Sequence, residues 1–146
     1  MARDQIDMTP IHSRDELVAW LAAGCKPKEK FRVGTEHEKF VYDLKTRKPI
    51  PYEGKPGIRQ LLEGMQRFGW QPVCEGENII GLTQNGASLS LEPGGQFELS
   101  GAPLETLHET AAENQQHIDE VKQVAGEIGA GYIGLGFAPD WKREDV

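Results

Sequence analysis

Two pairs of glutamates carry the chemistry that this sequence suggests. Glu36 and Glu38 stand two residues apart in Gly34-Thr35-Glu36-His37-Glu38-Lys39-Phe40, and Glu92 and Glu98 flank a Pro93-Gly94-Gly95 turn. Residues two apart on a strand share a face. A tight turn brings Glu92 and Glu98 back to a common face as well. Four carboxylates converging there repel one another unless a cation lies between them. Hard divalent cations favour oxygen ligands, so Mg²⁺, with Mn²⁺ as a substitute, is the economical partner. Mg²⁺ held by carboxylates commonly completes its shell with substrate phosphates, which points toward ATP chemistry.

The blander reading stays open beside this one: half-exposed strands often carry charges at alternate positions. Against it, the polar face that the four acids share also holds Thr83, Ser88, Ser90 and Gln96, with no lysine opposite the acids. Ordinary exposed faces mix both signs. The Pro93-Gly94-Gly95 turn serves geometry first, and close approach to a ligand second. His37 has the parity of the apolar face and reads as a hydrogen-bonded core residue. His108 and His117 lie beside the apolar stripe of a long helix, with no partner identifiable from sequence. Trp20, Trp70 and Trp141 read as core or interface residues. Neither Gly-x-x-x-x-Gly-Lys-Ser/Thr nor Gly-x-Gly-x-x-Gly after a strand occurs, and Gly134-Leu135-Gly136 is too short to count. No Ser/His/Asp or Cys/His nucleophile set is present, so no catalytic residue is expected beyond the metal ligands.

Positioning the acids requires a sheet. Ser13-Arg14-Asp15-Glu16 is a capping box for a first helix with Leu17, Val18, Trp20 and Leu21 on its apolar face and Gly24 as its stop. Phe31 to Leu44 alternates as a strand. Lys45 to Gly57 reads as a loop. Ile58, Leu61, Leu62, Met65 and Phe68 repeat at helical spacing, and Gly69 ends that helix. Ile79 to Ser100 reads as a three-stranded meander, with Asn85-Gly86 as a type I′ turn. That turn pairs Leu82 with Leu89 and Ile80 with Leu91. The second turn pairs Glu92 with Gln96, Leu91 with Phe97 and Ser90 with Glu98. Ile80, Leu82, Leu89, Leu91, Phe97 and Leu99 then share one face, and the polar set shares the other. A slip of one residue would scramble both. Pro103 opens a long helix with Leu104, Leu107, Ala111, Ile118, Val121, Ala125 and Ile128 as its stripe; Gly129 and Gly131 end it, and Tyr132 to Phe137 reads as a last strand. The fold class is α+β: a mostly antiparallel sheet with helices on one face and a polar face left open.

The chain has 146 residues, enough for one domain with a sizeable core. Its net charge of −7, with no long basic run, argues against nucleic acid or an anionic membrane as partner. Cys25 and Cys74 show no metal spacing and read as free thiols in a reducing compartment. Arg3, Asp4 and Asp7 without an apolar stretch do not form a secretory signal. A cytoplasmic location is the expectation.

The segments Gly34-Thr35-Glu36-His37-Glu38-Lys39-Phe40, Ile79-Ile80-Gly81-Leu82, Ser88 through His108 and Gly134-Leu135-Gly136-Phe137 together resemble the plant-type glutamate–cysteine ligase family, which also occurs in proteobacteria. The similarity runs from about Phe31 to the last residue, and the Ser88–His108 segment is its most specific part. The resemblance implies a glutamine-synthetase-like catalytic domain, of which residues 1–146 are the N-terminal part, with the remainder beyond Val146. It implies Glu36, Glu38, Glu92 and Glu98 as ligands of Mg²⁺, and ATP as co-substrate. The whole enzyme would phosphorylate the γ-carboxylate of glutamate, and the cysteine amine would displace phosphate to give γ-glutamylcysteine, the first step of glutathione synthesis. The partners so implied are small molecules, together with self-association or pairing with the C-terminal part through open strand edges. Plant members are regulated through disulfides; Cys25 and Cys74 do not map onto those cysteines, and no redox switch is expected. Two other readings stay open: another carboxylate–amine ligase on the same scaffold, and a metal- or nucleotide-binding module that does not turn over alone.

Overall fold

The computed structural model describes residues 8–139 together with 142 and 143. In chain order they form α1 (Arg14–Ala23), β1 (Glu36–Asp43), α2 (Ile58–Met65), β2 (Gln71–Glu75), β3 (Asn78–Gln84), β4 (Ala87–Glu92), β5 (Gln96–Ser100), α3 (Leu107–Ile128) and β6 (Ala130–Ile133). All strand pairs are antiparallel, and the sheet order is β2-β3-β4-β5-β1-β6. The α+β expectation holds. Among the described residues no helix is long and apolar enough to cross a membrane.

The meander sits in the register that the two turns dictate. Asn85 and Gly86 both have positive φ, 49° and 88°, as a type I′ turn requires. Leu82 then pairs with Leu89, Leu91 with Phe97, and Ser90 with Glu98. The β3–β4 ladder ends at Gly81–Ser90, so the expected Ile80–Leu91 pair falls just outside it, and Ile80 is 37% exposed. The inward side chains Leu82, Leu89, Phe97 and Leu99 are fully covered by α2 and α3. The α2 face of Ile58, Leu61, Leu62 and Met65 is buried as its spacing predicts, and Gly69 ends the following turn at φ 98°.

Several boundaries differ from the sequence reading. β1 begins at Glu36 rather than Phe31, because β5 ends at Ser100 and only an isolated Val33–Leu104 bridge continues the pairing. That same bridge keeps Leu104 extended. The long helix therefore starts at Leu107, capped by Thr106 and Glu109 in a reciprocal box. Its buried face is Thr110, His117, Glu120, Val121, Val124 and Ala125, so Leu107, 72% exposed, and Ala111 lie outside it. β6 stops at Ile133, where Gly134 and Gly136 offer no side chains to pack. β2 was not expected: Pro72 and the lack of alternation hide a strand that pairs on one side only, where proline is tolerated.

The first helix forms as read, with Ser13 Oγ accepting from Glu16 N–H, but it buries nothing. Trp20 is 66% exposed, so of the tryptophans Trp70 is in the core and Trp20 is not; Trp141 lies outside the described residues.

Candidate metal centre

Antiparallel pairing of β1 with β5 sets Glu38 directly opposite Glu98 and Glu36 opposite Ser100. The alternation of each strand turns these acids away from the helices, because their neighbours Phe97 and Leu99 point into the core. Glu36, Glu38 and Glu98 each offer a carboxylate oxygen, and these oxygens all lie within 4.8 Å of one another. Glu92, one turn away on β4, lines the same open cleft of about 480 Å³, with Pro93, Gln96 and Gly136. Its carboxyl shares a hydrogen bond with Glu98. The structure thus gathers all four expected residues around one cleft, three of them as a tight triad and Glu92 at its flank.

Glu98 is the anchor. It is 4% exposed, and its oxygens accept from Ser90 Oγ at 3.3 Å and Ser100 Oγ at 3.1 Å. Burial, and then the hydrogen bond with Glu92, push its carboxyl above the usual range, against the opposite pull of Ser100. Glu36 is exposed and Glu38 half-buried. The cluster is therefore graded from a fixed, buried carboxylate to a solvent-facing one. An all-oxygen donor set of this kind suits a hard divalent cation and offers nothing to a soft one.

Lys39 is the neighbour that sequence reasoning passed over. It lies on the opposite face of β1, fully buried, and its Nζ donates to the His37 carbonyl at 2.7 Å, 3.3 Å from His37 Nδ1 and 5.7 Å from the Phe97 ring centre. Burial lowers its pKa to about 8, against the pull of Glu38 and Glu98. The signal was a polar pair, His37 and Lys39, interrupting an otherwise apolar parity. His37 is half-buried and held by that lysine, as its parity suggested, whereas His108 is exposed. Cys25 and Cys74 are free and exposed.

Comparisons with known proteins identify the family of the chain. The family model described as Glutamate-cysteine ligase family 2 (GCS2) matches residues 32–146, a span that includes all four carboxylates. The chain is 56% identical to the chloroplastic glutamate–cysteine ligase of Arabidopsis thaliana over 135 residues, 92% of this chain and 25% of the relative. Identity to the Medicago truncatula ligase is 53% over 144 residues, covering 98% of this chain and 28% of that protein. For ligase A of Oryza sativa subsp. japonica it is 51% over 144 residues, 98% and 29%. The chain spans about a quarter of the length of these curated relatives. Their chloroplastic designation overturns the cytoplasmic expectation. That expectation rested on the composition of the first residues, and targeting segments are separate from the folded part, whose composition carries no address. With the match extending over most of its length and through its whole acidic cleft, the chain belongs to glutamate–cysteine ligase family 2.

Proposed function

We propose that this chain supplies the cation-holding sheet face of an ATP-dependent glutamate–cysteine ligase. The observation that carries the reading is the triad of Glu36, Glu38 and Glu98, with oxygens within 4.8 Å, in a cleft that Glu92 also lines. Glu98, fixed by two serines, positions the buried side of the site, and Glu36 and Glu38 close it from β1. A bound Mg²⁺ would neutralise the phosphates of ATP and orient the transfer. In the proposed reaction the γ-carboxylate of glutamate takes the terminal phosphoryl group of ATP, releasing ADP. The cysteine amine then attacks the acyl carbon, and phosphate leaves as the amide bond of γ-glutamylcysteine forms. Mn²⁺ fits the same oxygen donors.

The relatives' length favours a second element of this reading: further residues, beyond those of this sheet, complete the nucleotide and amino-acid sites. Two measurements test the proposal. Mn²⁺ binding to this chain, followed by electron paramagnetic resonance, should be lost in Glu98→Gln and Glu38→Gln; unchanged binding refutes the site. ADP release with Mg²⁺, ATP and glutamate should depend on cysteine in a ligase of the relatives' length that carries this chain as its sheet face. Release with a different amine would instead assign another carboxylate–amine ligase, and metal binding without any release a binding module.

A further inference from the structure

The register of β1 on β5 sets two residue pairs back to back. Glu38 pairs with Glu98 on the open side of the sheet, and the next pair along the ladder, Lys39 with Phe97, points into the core. One ammonium is thus buried a single ladder step behind two carboxylates.

Lys39 is wholly inaccessible to solvent. A buried charge ordinarily has an opposite charge in contact with it. Lys39 has none: the ion pairs among the described residues join Arg32 to Glu105, Arg59 to Glu53 and Arg67 to Glu127. Its Nζ donates instead to the His37 carbonyl and lies over the Phe97 ring. The imidazoles that face it, His37 and His117, carry no compensating charge. Burial, and then Lys39 itself, lower the pKa of both rings and keep them neutral at pH 7. The anions whose field reaches the ammonium are Glu38 and Glu98. Burial lowers the lysine pKa only to about 8, so the charge persists at pH 7.

The number of ligand charges sets how tightly an oxygen site holds a divalent cation. Four carboxylates around one cleft would hold it strongly. An ammonium on the reverse side of the same strands subtracts from that attraction, along a path through protein that salt screens little.

We propose that Lys39 is a built-in counter-charge of the acidic cleft, which lowers the cleft's affinity for a divalent cation and keeps the bound ion exchangeable. Lys39 touches neither the ion nor a substrate; it acts through the carboxylates. The inference rests on the reading of that cleft as a cation site.

The test is Mn²⁺ binding to this chain at pH 7, followed by electron paramagnetic resonance. Lys39→Met keeps the length of the side chain and removes its charge, an exchange that protein interiors commonly accept. It should bind Mn²⁺ about tenfold tighter or more, the order that one unit charge imposes on a divalent ion across a protein layer. A merely structural role gives the opposite sign, because a loosened cluster binds more weakly. Lys39→Gln, which retains a donor for the His37 carbonyl, repeats the measurement should Lys39→Met fail to fold. Lys122→Met, on the exposed face of α3, makes the same change in net charge and should leave the affinity unchanged. Unchanged or weaker binding in a folded Lys39 variant overturns the inference while the cation site stands. Equal tightening in Lys122→Met overturns it too, by assigning the effect to net charge. Absence of Mn²⁺ binding in the wild type overturns the cation-site reading and this inference with it.

Discussion

Glu38 and Glu98 stand directly opposite each other on β1 and β5, two carboxylates in one cross-strand pair with Glu98 almost wholly buried. Like charges so placed destabilise a sheet. Glu38→Gln should therefore stabilise the chain in EDTA, by a few tenths to about 1 kcal/mol. Saturating Mg²⁺ should reverse the sign, because only the wild type gains the free energy of binding a ligand to the native state. Urea unfolding in the two buffers measures both effects. A stabilisation indifferent to Mg²⁺ would mean that the triad holds no cation.

That pairing was legible in the sequence because two tight turns and a period-2 pattern admit few registers. Asn85-Gly86 and Pro93-Gly94-Gly95 fixed β3, β4 and β5, and the polar face followed. Parity placed Glu36 and Glu38 on the right face, but it could not say that Glu92 would stand outside the triad, since that depends on side-chain reach past the turn. What local pattern hid was decided by distant partners. The Val33–Leu104 bridge shortened β1 and delayed α3. Edge pairing made a strand of Gln71–Glu75, and the absence of any packing partner among the described residues left the apolar residues of α1 exposed. The buried Lys39 and His117 answer to the three-dimensional core rather than to their sequence neighbours.

Gly64 stands inside α2 because α3 presses against it. A Cβ there would collide with Val124 Cγ1, and Val124 is buried. Alanine in a helix interior gains about 0.5–1 kcal/mol over glycine. Forcing extra volume into a packed core costs about 1–3 kcal/mol. Gly64→Ala should thus destabilise the chain by about 1 kcal/mol, and adding Val124→Ala should recover part of the loss. A double-mutant cycle from urea midpoints would show the coupling; strictly additive effects would contradict the contact.

The first helix carries apolar residues without core packing. Trp20 and Leu21 are 66% and 63% exposed, whereas Leu61 on α2 is wholly covered. Trp20→Ser and Leu21→Ser should each change unfolding free energy by no more than about 0.5 kcal/mol. Leu61→Ala should cost about 2–5 kcal/mol. Chemical denaturation of the three variants, side by side, checks the contrast. A loss of 2 kcal/mol or so in either α1 variant would show that α1 is packed in solution.

His117 should make the chain acid-sensitive. Burial lowers its pKa from 6.5 to about 3, so the native state holds the ring neutral. Above about 6.5 the ring is neutral in both states, and its contribution is fully present. As pH falls from there toward 3, the unfolded chain takes the proton first, and stability drops by up to about 1.4 kcal/mol per pH unit from this group. Below 3 both states are protonated and the loss levels off. Phenylalanine retains a ring against Phe97 and Trp70 without the titration. Between about pH 7 and about pH 4, the stability of His117→Phe relative to wild type should rise by about 2–3 kcal/mol. Carboxylates common to both proteins cancel in that difference. Urea unfolding at several pH values gives the two curves; parallel curves would show that the buried ring is already paired or protonated in the native state.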